Sequence, residues 1–557
     1  VCTRPGLRPC PRANITRWWP RRRHSHRQAM DGPPSHGRAF AYYTYGAASS
    51  LLQSLARDYP QLASLTTAQE AYGLRSAGTC TDSAGHQGPC LNHIIQISNR
   101  SANAAVLSAR PQIYISGALH GDEQVGIVTA LELCRWLLTR YATDDWVRRL
   151  VDTRMVLISP MTNAVGSATR RRDELGIDPN RDFPFDQSAG SCMQTVTART
   201  VNEIYRAHLL QLVVTFHGGM QAIGYNWGAY PYWRGVPSRS PDDAAMRDVA
   251  AVMSRYAGSG RVNRAPYRYS TMNEIVYPVH GGMEDWGYAA SWDTSHVTPC
   301  APKANGGYAA EKTHYGRDAI RAVTILVETS DQKMPPASTL GGEEGVYGAG
   351  GPADGHVPRN MRLALASIDL LRPHIELAPS LPARPGGGCL PLEWQVWGAI
   401  KVDDTVALWR ATPTSAWEEV PFVAAPPSRR KLASAVGPSH FSLADGSVLG
   451  GDGVWATGHS PFSPPTIAGC ARTPPHVGSA QLAVSVRADS SWAASPSGQF
   501  APKLPPQTHF ARTRSEYKAK HGGFEVVGRS RWLSAPIALN CSAAFGCCAL
   551  QNRRCSR

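Results

Sequence analysis

At 557 residues the chain is longer than one ordinary hydrophobic core organises, so two domains with tails are expected. The apolar share of 42% is that of a globular protein, and no run of about 18 or more apolar residues occurs, so no transmembrane helix is expected. The net charge of +15 sits at the ends: residues 1–37 hold eight Arg against Asp31 (+7), and residues 510–557 hold nine Lys/Arg against Glu516 and Glu525 (+7).

The remainder is close to neutral, so basic, disordered ends are expected over 1–39 and at the C-terminus. Without base-stacking or helix-turn-helix patterns, no nucleic-acid partner is expected. The first residue is Val1 and the opening segment lacks the apolar stretch of a signal peptide, as expected of a sequence incomplete at its start.

From residue 40 the pattern turns α/β. Ser49–Tyr59 reads as an amphipathic helix, and Ile113–Leu119 as a buried strand. Gln124–Tyr141 has the broad apolar face of a helix, through Val125, Val128, Leu131, Leu133, Trp136, Leu137 and Leu138. Met155–Ile158 is a second strand, 201–210 a helix and Leu212–Phe216 a third strand. Ser240-Pro241-Asp242-Asp243 predicts a helix start with a capping Ser, running to Tyr256. Val323–Val327 is a fourth strand, 333–360 a Gly/Pro-rich loop and Met361–Leu371 a closing helix. Strands alternating with helices predict a mostly parallel mixed sheet covered by helices over residues 40–377. A Pro/Gly linker (378–389) leads to short apolar runs over 390–535, expected to form a smaller β-rich, sandwich-like domain that contacts another protein. Residues 536–557 are a Cys-rich basic tail.

The 13 cysteines contain no zinc-finger spacing and suggest disulfides in an oxidising compartment, with pairings left open. Cys80 and Cys90 flank a Gly/Asp/Ser-rich loop. Asn14, Asn99 and Asn540 head glycosylation-type triplets.

The informative polar residues follow strand ends, where open α/β sheets bind ligands. His120 and Glu123 lie in His-Gly-Asp-Glu just after the strand at 113–119. A histidine and a carboxylate three residues apart supply two donors suited to Zn²⁺. His217 follows the strand at 212–216, and Glu328 ends that at 323–327.

Five ordered motifs carry a resemblance: Gly117-Ala118-Leu119-His120-Gly121-Asp122-Glu123, Gly176 to Pro184 (containing Asp178-Pro179-Asn180-Arg181), Phe216-His217-Gly218-Gly219, Tyr277 to Trp286, and Val327-Glu328-Thr329-Ser330. Over residues 40–335 the chain resembles the zinc metallocarboxypeptidases of peptidase family M14, most of all the regulatory carboxypeptidase E/D/M-like branch. The resemblance implies one Zn²⁺ per chain held by His120, Glu123 and His217, a ligand set of the catalytic type. It implies Glu328 as general base and then acid. Arg171 is the implied oxyanion donor, worth roughly 3–4 kcal/mol in such a role. Because the chain reads Arg170-Arg171-Arg172-Asp173, Arg172 is a rival. Asn180 and Arg181 would grip the substrate's C-terminal carboxylate, the Arg through paired donors, and Tyr277 would close over it. Glu284, seven residues after Tyr277, would line the pocket for the C-terminal side chain and favour a basic one.

The implied activity is removal of C-terminal residues from peptides or proteins, and secretion is the implied destination. Two alternatives stand beside it. An amidohydrolase of the aspartoacylase/succinylglutamate desuccinylase type shares a related metal site. A non-catalytic binding protein on the same fold would be expected to have lost Glu328 or a ligand.

Overall fold

The computed structural model describes residues 37–371, apart from 103–106, 108–109, 209, 260–261, 263–264 and 316–321. Beyond 371 it describes strand segments alone, among them Leu390–Trp397, Lys401–Arg410 and Ser479–Asp489. The linker at 378–389, residues 1–36 and Asn14 lie outside the described residues, and of the expected sandwich-like domain and the tail at 536–557, Asn540 included, strand segments alone are described.

The chain begins with α1 (Tyr45–Asp58), β1 (Ala63–Thr67), β2 (His93–Ile97), β3 (Gln112–Ser116) and α2 (Gln124–Thr139). It continues with α3 (Asp145–Thr153), β4 (Met155–Ser159), α4 (Ala164–Thr169), α5 (Val196–Ala207), β5 (Leu210–His217) and β6 (Met220–Tyr225). Then come α6 (Asp243–Ala257), β7 (Arg268–Thr271), α7 (Met283–Ala289), β8 (Val323–Ser330) and α8 (His356–Asp369).

One eight-stranded sheet has the order β1-β2-β4-β3-β5-β8-β6-β7. Its centre, β4-β3-β5-β8, is parallel, and antiparallel pairings join β1 to β2, β2 to β4 and β8 to β6. Every residue of the four central strands is buried, which is why they read as continuous apolar runs. The expected helix-covered mixed sheet is present: α2 and α8 pack on central strands and on each other, and α7 packs on β8.

The helix boundaries moved where caps decide them. Thr44 caps α1 by accepting from the Ala47 amide, so α1 starts before Ser49. Thr195 caps α5 through the Ala198 amide, so α5 begins at Val196 and not at the expected residue 201. Ser240 does not cap α6; its carbonyl accepts the Asp243 amide in a preceding turn. The closing helix α8 starts at His356 rather than Met361, with Pro358 in its first turn, where a missing N–H is tolerated. The outer strands β1, β2, β6 and β7 were not foreseen, being short and, in β7, largely exposed.

The Asn99 side-chain amide donates to Asp152 Oδ1 (2.7 Å) and to the Tyr141 hydroxyl (3.0 Å). Two disulfides form, Cys80–Cys90 and Cys192–Cys300, and among the described residues Cys134 is free and buried. Cys192–Cys300 spans 108 residues and braces the segment in which Asp182 accepts the amides of Gln194 (2.9 Å) and Thr195 (2.7 Å). In the chain-entropy account a closed loop of about that length is worth roughly 4–5 kcal/mol. The double variant C192A/C300A is expected to lose about 2–5 kcal/mol in denaturant unfolding; an unfolding curve matching wild type would contradict this.

Candidate metal centre and surrounding cleft

The centre forms where the parallel strands end. β3 and β5 run in register up to Ser116 opposite Thr215, and β5 and β8 place His217 directly opposite Glu328. Beyond β3 the chain turns tightly through Gly117 to Glu123, and α2 begins at once. A Cβ on Gly126 would lie 2.0 Å from the Gly117 carbonyl oxygen, so only glycine lets α2 approach the turn this closely.

His120, Glu123 and His217 are all buried, and one donor atom of each lies within 4.8 Å of the others. His120 Nδ1 is 3.1 Å from Glu123 Oε1, His217 Nδ1 is 3.0 Å from Glu123 Oε2, and the two Nδ1 atoms are 3.1 Å apart. Glu123 Oε2 has no aligned hydrogen-bond donor despite that proximity. Tetrahedral zinc with bonds of about 2.0–2.1 Å separates its ligand atoms by roughly 3.3 Å, so the donors are spaced to hold such an ion.

The electrostatics agree. Burial drives the His217 ring toward its neutral form, yet the Glu123 and Glu284 carboxylates push its pKa up to about 10. Burial raises Glu123, and the two histidines outweigh that and hold it well below the carboxylate range. The cluster is a desolvated set of donors whose carboxylates draw positive charge toward them.

Asp178 is a participant to which the sequence reading gave no role. Its Oδ1 accepts from His120 Nε2 (2.9 Å), which leaves Nδ1 as the metal-facing nitrogen. The cue lay in the quoted motif, since metal-binding histidines usually donate their other N–H to a carboxylate. Asp178 Oδ2 also accepts from Arg172 Nε (3.0 Å), and Arg172 reaches Glu123 Oε1 (3.4 Å). Thus Arg172 lines the cleft. Arg171 does not: its side chain is 69% exposed and pairs with Asp173. α4 ends at the left-handed residue Arg170, and just beyond it Arg171 is exposed while Arg172 lines the cleft.

The cleft is lined by the three donors, Arg172, Asn180, Arg181, Tyr277, Glu284 and Glu328, with Lys333 at one side. Asn180 is buried; its Oδ1 accepts the Met283 amide (2.7 Å) and its Nδ2 faces both Glu284 oxygens (3.3 Å each). Gly281, at φ +63°, lets the 277–284 segment pass the Arg181 carbonyl, which a Cβ there would meet at 2.3 Å. Tyr277 is half-exposed at the rim, its ring 6.0 Å from the Arg181 guanidinium. Glu284 lies in a wall shared with Met272, Val276, Val279 and Leu326. Lys333 was not foreseen either; nothing local marks a lysine 210 positions after Glu123.

Glu328 is 8% exposed, and its Oε2 is buried without a hydrogen-bond partner. Burial, with the nearby carboxylates Glu123 and Glu284, pushes its pKa up from 4.5 to about 7. The folded pKa is raised, so the metal-free fold favours the protonated acid and loses stability as pH rises from 4.5 through 7. At about 1.4 kcal/mol per unit, the cost above that window is on the order of 3 kcal/mol. Metal-free Glu328→Gln is therefore expected to unfold at a higher temperature than metal-free wild type at pH 8, and at the same temperature near pH 4. Equal melting at pH 8 would refute this.

A sequence model of the family described as zinc carboxypeptidase matches residues 48–340. Carboxypeptidase SOL1 of Arabidopsis thaliana is 27% identical over 199 residues, covering 35% of this chain and 40% of that protein. Carboxypeptidase D of Anas platyrhynchos is 24% identical over 269 residues, covering 45% of this chain and 18% of that protein. The chain thus spans less than half the length of either relative. Among solved structures, bovine thrombin-activatable fibrinolysis inhibitor aligns over 59% of this chain and 97% of its own, with TM-score 0.39 and 14% identity.

Proposed function

The chain belongs to the zinc carboxypeptidase family, whose sequence model spans just over half of it, and from that premise we propose that it is a zinc-dependent metallocarboxypeptidase cleaving the C-terminal peptide bond of peptides or proteins. The observation that carries the reading is one cleft lined by the metal donors, the raised carboxyl of Glu328 and the pair Asn180–Arg181.

Zinc held by His120, Glu123 and His217 supplies Lewis acidity toward a carbonyl and toward water. Glu328 takes the proton of the attacking water and passes it to the leaving amine; its pKa of about 7 in the metal-free cleft suits a group that must do both. Arg172, held by Asp178, donates to the developing oxyanion, so the role assigned to Arg171 passes to its neighbour. Arg181 and Asn180 grip the terminal carboxylate, and Tyr277 closes over it from the rim. An internal peptide bond offers Arg181 no carboxylate, which makes the reaction exopeptidic.

Glu284 sets the preference. A carboxylate that shares the cleft lining with Met272, Val276 and Val279 favours a C-terminal Lys or Arg, whose apolar stem packs on Met272 and Val279. Two disulfides support an oxidising, secretory destination. Residues 390–535 complete the reading as an accessory β-rich region that contacts another protein.

The non-catalytic alternative loses ground because Glu328 and all three donors are retained in one cleft. The amidohydrolase alternative is met by the family match. With matched peptides ending in Arg, Phe or Glu, kcat/KM is expected to be highest for Arg. Glu284→Gln should lower the Arg value about 10–100-fold, the range of a charged hydrogen bond of about 1.5–3 kcal/mol. The C-terminal amide of the same peptide should not be cleaved. A preference for Phe would sink the specificity assignment, and turnover of N-acetylaspartate in place of peptides would sink the peptidase.

A further inference from the structure

Lys333 has no part in the chemistry described so far, yet it lines the cleft. Its Nζ lies 2.8 Å from Asp122 Oδ2 and 3.5 Å from Oε1 of the donor Glu123. Its backbone carbonyl accepts the amide of Gln124, the first residue of α2, at 2.9 Å. The loop after β8, five residues beyond Glu328, therefore grips the turn after β3 at both its side chain and its backbone.

The turn needs such a grip. Glu123 is the N-cap residue of α2 but makes no capping hydrogen bond, because its carboxylate points at the histidines. Asp122, next to it, has one oxygen on Lys333 and the other buried without a donor. Without its ammonium partner, Asp122 would be a partly buried, unpaired carboxylate in the turn that carries Glu123.

We propose that the Asp122–Lys333 ion pair is a positioning latch: it fixes the Glu123 turn against the loop that follows Glu328 and so slows loss of zinc. The inference rests on the zinc site described above. The latch is neutral as a pair, so its effect is positional, and its removal must be charge-balanced to be read cleanly.

The test is zinc transfer from the full-length holoprotein to an excess of chelator, with no substrate present. The double variant D122N/K333M, neutral like the pair it replaces, is expected to release zinc about 10–100-fold faster, as for other residues that orient metal ligands. K333R, which keeps the pair, should release it at nearly the wild-type rate. The melting temperature of the metal-free protein should be the same for wild type and both variants, which a general loss of stability would not allow. If D122N/K333M fails to fold, D122N/K333Q serves in its place with the same expected acceleration. Wild-type release rates in the double variant would overturn the latch while leaving the zinc reading intact. A wild-type protein that takes up no zinc would overturn both. Zinc retention with the expected acceleration but no peptide hydrolysis would leave the latch standing and remove the proposed activity.

Discussion

Two histidines and a glutamate are buried within about three ångströms of one another, and a second carboxylate, Glu328, is buried beside them. Burying charges without compensation costs several kcal/mol per ion even after relaxation. Protons on His217 and Glu328 relieve part of that cost in the metal-free protein, as their raised pKa values show. A divalent cation among the donors relieves it more fully and frees Glu328 to act as a base.

The scaffold makes this crowding possible. Parallel pairing sets His217 opposite Glu328, and because every residue of both strands is buried, a slip of one would carry each side chain to the opposite packed face, where it was not fitted. The remaining parts are carried by loops held from several directions. Asp178 ties His120 to Arg172, Asn180 ties its own turn to the start of α7, and Cys192–Cys300 braces the segment behind them. Apart from the Asp178–Arg172 contact, these links join residues far apart in the chain, as expected of a site built on loops over a rigid sheet.

Much of this was legible in the residues themselves. The central strands are long apolar runs, and His120, Glu123, His217 and Glu328 sit at their ends, so sheet and donors could be read together. Helix starts were less legible, because Thr44 and Thr195 set them through single hydrogen bonds that apolar periodicity does not register. The choice between Arg171 and Arg172 was decided by tertiary contacts, Arg172 with Asp178 and Glu123, that adjacent arginines in a sequence do not reveal. Asp178 could have been foreseen from the needs of a metal-binding histidine. Lys333 could not, since its contact with the Glu123 turn exists only once β3 and β8 are in the same sheet.

The central claim is that one ion, held by His120, Glu123 and His217, drives release of C-terminal residues. It is tested most directly by measuring zinc content and hydrolysis of a free-acid peptide on the same full-length preparation, before chelation, after it and after zinc is restored. The account requires close to one zinc per chain, loss of hydrolysis in step with loss of zinc, and recovery on adding it back. Hydrolysis that persists in the zinc-free protein, or a zinc-loaded protein that releases no C-terminal residue from any peptide ending in Arg, Phe or Glu, would contradict it.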